Sequence, residues 1–279
     1  MKCRNSLYMK TSKTSLLIAL LVGGLSPFAT AQTKPLKALL LTGGCCHDYK
    51  AQKDILKKGI EERANVIVDQ IHTDNSTTSP DLPIYNNPDY AAGYDVVIHD
   101  ECAAGISSES AVKDILAPHR KGLPGVNLHC AMHSYRQPGF DKAVEKPGSP
   151  VSMWFEYLGL QSTGHGSQKP IEIKFTDKAH GSVMGLADWT TGNEELYNNL
   201  HVFETAHPLA SGTQEGKTTV VVWTNDYNGT KVFNTTIGHN NTTVGDARYL
   251  DLVTRGLLWA TGKLDDKGKV VKGYGRQKP

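Results

Sequence analysis

The chain has 279 residues, 39% hydrophobic and 21% charged, with 30 Lys and Arg against 28 Asp and Glu. A formal charge of only +2 gives no electrostatic case for nucleic acid or an acidic membrane surface as partner. Five cysteines in so long a chain exclude a disulfide scaffold, and the length suits one large hydrophobic core better than two.

Lys10 and Lys13 precede the apolar run from Leu16 to Val22, which Gly23, Gly24 and Pro27 break before the small-x-small triplet Ala29-Thr30-Ala31. A basic start, an apolar stretch too short to span a bilayer and a small-residue cleavage site predict a signal peptide over residues 1–31. The mature chain is then periplasmic or secreted, with no later stretch long enough to cross a membrane. Losing Lys2, Arg4, Lys10 and Lys13 turns the formal +2 into −2, and Cys45, Cys46, Cys102 and Cys130 remain. Export permits disulfides, and Cys45 or Cys46 could pair with Cys102 or Cys130 across neighbouring strand ends; the sequence leaves open whether the four bond at all.

Leu36 to Leu41 is nearly continuous apolar sequence that stops at Thr42-Gly43-Gly44, as a strand buried on both faces would. Gln52 to Arg63 reads as a helix, Val66 to Val68 as a strand, and Thr73 to Gly93 as a connection too long to be plain. Tyr94 to His99 is a third strand, Ser108 to His119 a helix, and Gly125 to His129 a fourth strand. Strands alternating with helices predict a doubly wound parallel α/β sheet with helices on both faces. Later, Ile171 to Phe175 alternates like a half-exposed strand. Thr218 to Trp223 and Lys231 to Ile237 read as a small extra hairpin around Asn228-Gly229. Tyr249 to Ala260 reads as an amphipathic helix ended by Gly262, and residues 263–279 as a basic, loose tail.

Ligands of open parallel sheets bind outside the carboxyl ends of the strands, where this sequence gathers its reactive residues. Cys45-Cys46-His47-Asp48 follows the first strand and His99-Asp100-Glu101-Cys102 the third. His129-Cys130-Ala131-Met132-His133 follows the fourth. Glu194-Glu195-Leu196-Tyr197 lies in a Gly- and Thr-rich connection, and His239 follows the last apolar strand residue. His47, Asp48, His133, Glu195 and His239 are the candidate catalytic groups, with His129, Tyr197 and Glu101 for substrate. His47, His133 and His239 are candidate ligands of a divalent metal such as zinc. In a rival reading Cys130 is a nucleophile activated by His239. In a third the protein is a saccharide-binding module without catalysis. Trp154, Tyr157, Trp189, Tyr197 and Trp223 either stack on a sugar or fill the core.

Thr42-Gly43-Gly44 with His47-Asp48, Leu128-His129-Cys130 with His133, Glu194 to Tyr197, and Gly238-His239 together resemble the ThuA-like family, named for trehalose utilisation. The resemblance runs from about Leu36 to Gly262. It implies a flavodoxin-like fold related to the class I glutamine amidotransferases. It also implies a role in carbohydrate metabolism, on disaccharides or their keto forms; the His and Glu residues themselves point to hydrolysis or proton transfer. By that likeness Cys130 stands at the amidotransferase nucleophile position and His239 at that of its histidine. Leu128 and Met132 replace the small flanking glycines, however, and Asn241 stands where an acid would orient the histidine.

Overall fold

The computed structural model describes residues 1, 33–144 and 147–276; the expected signal segment, apart from residue 1, lies outside them. β1 (Leu36–Gly44) is the hub of the parallel half. It pairs in parallel with β2 (Val66–His72) on one side and β3 (Val96–Cys102) on the other. β3 pairs with β4 (Gly125–Leu128), and β4 with β9 (Thr230–Thr235), again in parallel. The order β2-β1-β3-β4-β9 is the flavodoxin-like one, and its switch point lies between β1 and β3. Leu39, Leu40 and Leu41 are wholly buried, as a run of apolar residues in a doubly covered strand requires. Burying each stabilises the fold by about 1.5–3 kcal/mol.

α1 (Tyr49–Glu61) starts immediately after the β1 turn because Asp48 caps it, accepting the Ala51 N–H. α2 (Glu109–Arg120) is capped likewise by Ser108. α3 (Met153–Leu158) ends at Gly159 in the left-handed region. The short α4 (Asn241–Val244) and then α5 (Ala247–Ala260) follow β9. α5 lies against α1 so closely that a methyl group at Gly59 would come within 2.5 Å of Leu250. The long connection after β2 holds a single 3-10 turn, Pro83–Asn86, and buries Tyr90, whose hydroxyl donates to the Ile115 carbonyl.

The second half departs from the expected small hairpin. β5 (Leu160–Phe175), β6 (Trp189–Val202), β7 (Ala206–Gln214) and β8 (Lys217–Tyr227) extend the same sheet to nine strands, in the order β9-β8-β7-β5-β6, all antiparallel. Asn228 and Gly229, both at positive φ, make the tight β8–β9 turn. The polar, glycine-containing stretches around Gly164 and Gly192 concealed two of the long strands, because β5 and β6 have few buried residues to alternate. The described part of the tail is not loose. Leu264 pairs with Val270 and Ala64 with Gly275, and the Tyr274 carbonyl accepts the Asn65 N–H.

Candidate functional site

The carboxyl ends of β1, β4 and β9 bring His47, His129 and His239 together. Their rings stand 4.7–5.4 Å apart and edge to face. Their nearest ligand nitrogens all lie within 4.8 Å of one another. Two of the imidazoles have a defined tautomer. His47 Nδ1 is 3.2 Å from the His239 carbonyl, and His129 Nδ1 is 2.7 Å from the Thr236 carbonyl. A carbonyl only accepts, so each Nδ1 carries the proton and each Nε2 keeps its lone pair. His129 adopts its pose with φ of +41°, in the left-handed region that single turn residues visit.

Glu195 completes the group. Its Oε2 lies 3.5 Å from both His129 Nε2 and His165 Nε2, and its Oε1 lies 3.4 Å from His239 Nδ1. Gln168 donates to Oε1 at 3.2 Å. Glu194 and Glu195 are on β6, not in the connection expected for them, and their side chains point to opposite faces of the strand. Glu195 and Tyr197 therefore face the imidazoles together. Glu194, fully buried, accepts the backbone N–H groups of Gly238 (3.2 Å) and His239 (2.9 Å) and so fixes the His239 loop. Gln52 of α1 donates to the His239 carbonyl from the other side.

Electrostatics follow from this packing. Burial, then the neighbouring imidazoles of His129 and His239, push His47 down to about 3, so that it is neutral at ordinary pH. Burial alone would raise the Glu195 carboxyl, but the imidazoles of His129 and His239 outweigh it and hold it well below the usual carboxylate range. The Glu195 carboxylate, 3.4 Å away, raises His239. Burial and the neighbouring Glu195 and Glu194 push the Tyr197 phenol well up.

Several expected roles change. His133 is not a member of the imidazole trio. It begins the chain's exit from a 3-10 turn, His129–His133, in which residues four apart diverge, and its Nε2 meets Ser162 Oγ at 2.9 Å. It stacks on Tyr197 at 4.0 Å, forming a wall beside the site, and it is His129 that joins His47 and His239. Asp48 is at the cleft rim but commits one oxygen to capping α1 and the other to Asn241. Glu101 faces no cleft. It is wholly buried and accepts from Tyr85, Tyr135 and His99 Nδ1 at 2.8, 2.5 and 2.8 Å. Of the pairings the sequence left open, the structure has Cys130 bonded to Cys102 and Cys45 to Cys46, so no free thiolate is available for the nucleophile route. Trp154, Tyr157 and Trp223 are core residues, at most 1% exposed.

Residues that sequence reasoning missed are His165, Gln168, Gln52 and the positioning role of Glu194. Only the pairing register, with His165 opposite Tyr197 and Gln168 opposite Glu195, brings the first two into the site. A cleft of about 650 Å³ opens on this cluster, lined by Cys46, His47, Asp48, His239 and the residues 240–242. His165 is the solvent-facing imidazole of the set, 43% exposed.

The sequence matches the ThuA family, described as trehalose utilisation, over residues 37–260. No curated protein matches it. Among solved structures it is similar to a ThuA-like protein from Parabacteroides merdae, with 19% identity and a TM-score of 0.63 over 88% of this chain and 98% of that one. A β-galactosidase from Rahnella sp. R3 gives 13% identity and a TM-score of 0.49 over 82% of this chain and 31% of that one. A glutamine amidotransferase from Methylobacillus flagellatus gives 9% identity and a TM-score of 0.42 over 88% and 97%. With the flavodoxin-like parallel core and the family match over most of its length, the chain belongs to the ThuA family.

Proposed function

We propose that this protein processes a saccharide, a disaccharide or its keto form, by hydrolysis or proton transfer outside the cytoplasm. His47, His129 and His239 would hold a divalent metal such as zinc. The observation that carries the reading is the convergence of three imidazoles beside one carboxylate. The donor set fits a metal. His129 Nε2 and His239 Nδ1 are buried without a hydrogen-bond partner, and the Nδ1–H groups of His47 and His129 are anchored on backbone carbonyls, as ligating histidines usually are. When bound, such an ion supplies Lewis acidity toward a sugar carbonyl or hydroxyl.

The chain's own residues perform the rest. Glu195 is ionised at neutral pH and accepts a proton from a hydroxyl, a C–H next to a keto group, or water. His165, across Glu195 from the trio and open to solvent, can carry that proton away. The stacked His133 and Tyr197 hold one wall of the site rigid and dry. Export is supported by the amino-terminal pattern, and two disulfides favour an oxidising compartment.

Elemental analysis of protein purified without chelators tests the metal. About one equivalent of a divalent ion is expected, lost in His129→Ala. Turnover of disaccharides and their keto derivatives should fall by about 10²–10⁴ in Glu195→Gln, the range for a general base. Protein that binds no zinc in titration calorimetry, with turnover indifferent to Glu195→Gln, refutes the reading.

A further inference from the structure

All four cysteines among the described residues meet at one place, beside the imidazoles. Cys45 and Cys46 are bonded to each other at the turn after β1, and Cys102, the last residue of β3, is bonded to Cys130 after β4. Exposure falls along the series. Cys46 is exposed and Cys45 half-buried, while Cys102 and Cys130 are 4% and 6% exposed. The two disulfides touch, with Cys45 Sγ 3.6 Å from Cys102 Sγ. Beyond them, His47, Cys102 and Cys130 bring their ligand atoms within 4.8 Å of one another. Sulfur therefore runs without a break from solvent, through Cys46, Cys45 and Cys102, to Cys130 and the histidines. Two separate structural disulfides would need no such contact. Gly44 holds it together: a methyl group there would lie 2.1 Å from the Cys102 carbonyl oxygen, so no larger residue allows the β1 turn to approach β3 this closely.

We propose that this cluster is a thiol–disulfide exchange site, which takes two electrons from a dithiol of the CxxC kind and delivers a free thiol at Cys130. The donor's first thiolate attacks Cys46, the sulfur open to solvent. The Cys45–Cys46 bond breaks, its electron pair leaves on Cys45, and a mixed disulfide remains at Cys46. The Cys45 thiolate attacks Cys102 Sγ, already in contact, and the Cys102–Cys130 bond breaks with its electron pair on Cys130. The donor's second thiol attacks its own sulfur in the mixed disulfide and releases Cys46. The donor leaves as a disulfide, Cys45 and Cys102 are joined, and the donor's two protons end on Cys46 and Cys130. The reduced sulfur then stands next to His129 in the chain. This exchange does not depend on whether the imidazoles hold a metal.

The test uses the whole oxidised protein and one equivalent of dithiothreitol, followed by acid quenching, alkylation and mass-spectrometric mapping. Alkyl groups on Cys46 and Cys130, with a Cys45–Cys102 cross-link, are expected. Alkylation of Cys45 and Cys46 with Cys102–Cys130 intact overturns the proposal, as does any other pattern, including none. In Cys45→Ser the inner disulfide should be reduced about tenfold more slowly or worse, since the neighbouring attacking sulfur is gone. An unchanged rate also overturns the relay.

Discussion

Glu194→Gln tests whether the imidazole group is held from behind. Glu194 is wholly buried and receives two backbone N–H groups, those of Gly238 and His239. Glutamine keeps the shape but replaces one carboxylate oxygen with an NH₂ group. Both N–H groups bond Oε2, and the His239 N–H also reaches Oε1 at 3.1 Å. Whichever oxygen the NH₂ group replaces, it therefore faces the His239 N–H, which costs about 1–3 kcal/mol. The remaining bond falls from a charge-assisted one to a neutral one, a further loss of about 1 kcal/mol. The variant should therefore lose about 3 kcal/mol in urea unfolding. In a domain of this size that lowers Tm by about 6–12 °C. Freeing the His239 loop should also weaken zinc binding by about 10–100-fold, the usual cost of losing support behind a ligand. Calorimetric titration with zinc beside urea melts reads both quantities. Stability lost with zinc affinity intact would show that Glu194 supports the fold without positioning His239. Neither quantity changing would refute the geometric argument altogether.

Three other predictions are independent of it. Burial, then the charge of His99, lowers His119 to about 3, so below pH 6.5 the unfolded chain binds a proton that the native one does not. That contribution is complete above pH 6.5 and is lost as pH falls toward 3, about 3 kcal/mol by pH 4. His119→Gln should flatten the pH dependence of the urea midpoint between 7 and 4, and an unaltered slope would contradict it. Gly44→Ala forces φ of +98° on a residue with a Cβ 2.1 Å from the Cys102 carbonyl oxygen. It should cost about 2–3 kcal/mol in urea melts, and a loss below 0.5 kcal/mol would show that the turn yields easily. Gly256→Ala sets about 1 kcal/mol of gained helix propensity against overpacking of about 1–3 kcal/mol, because its Cβ would lie 2.3–2.5 Å from the Phe233 ring. A net loss is expected, and a Tm higher than the parent's would mean that Phe233 turns aside.

The parallel half was legible because its signals are local. Leu36 to Leu41 reads as a doubly buried strand from composition alone, whereas the Asp48 cap that starts α1 before Gln52 emerged only in the structure. The location of the chemistry was legible too for His47 and His129, which follow strands read as parallel; His239 follows a strand read as part of a hairpin, and only the structure shows it parallel to β4. The membership of the site was not. His129 and His133 are equally plausible ligands in sequence, and only the turn's path sends one toward Glu195 and the other toward Ser162. Glu101 and Glu195 look alike as acids near a histidine. One lies beneath the sheet edge among Tyr85, Tyr135 and His99, and the other is swung over the strand ends by β6. Likewise, Cys45 binds Cys46 while touching Cys102, a choice between sulfurs that only atomic positions make. Periodicity, capping and turn residues depend on neighbours in the chain, so the sequence by itself determined the parallel core and the face on which the reactive residues gather. Which imidazoles, carboxylates and sulfurs meet depends on contacts between residues up to 192 positions apart, and these only the tertiary structure decided.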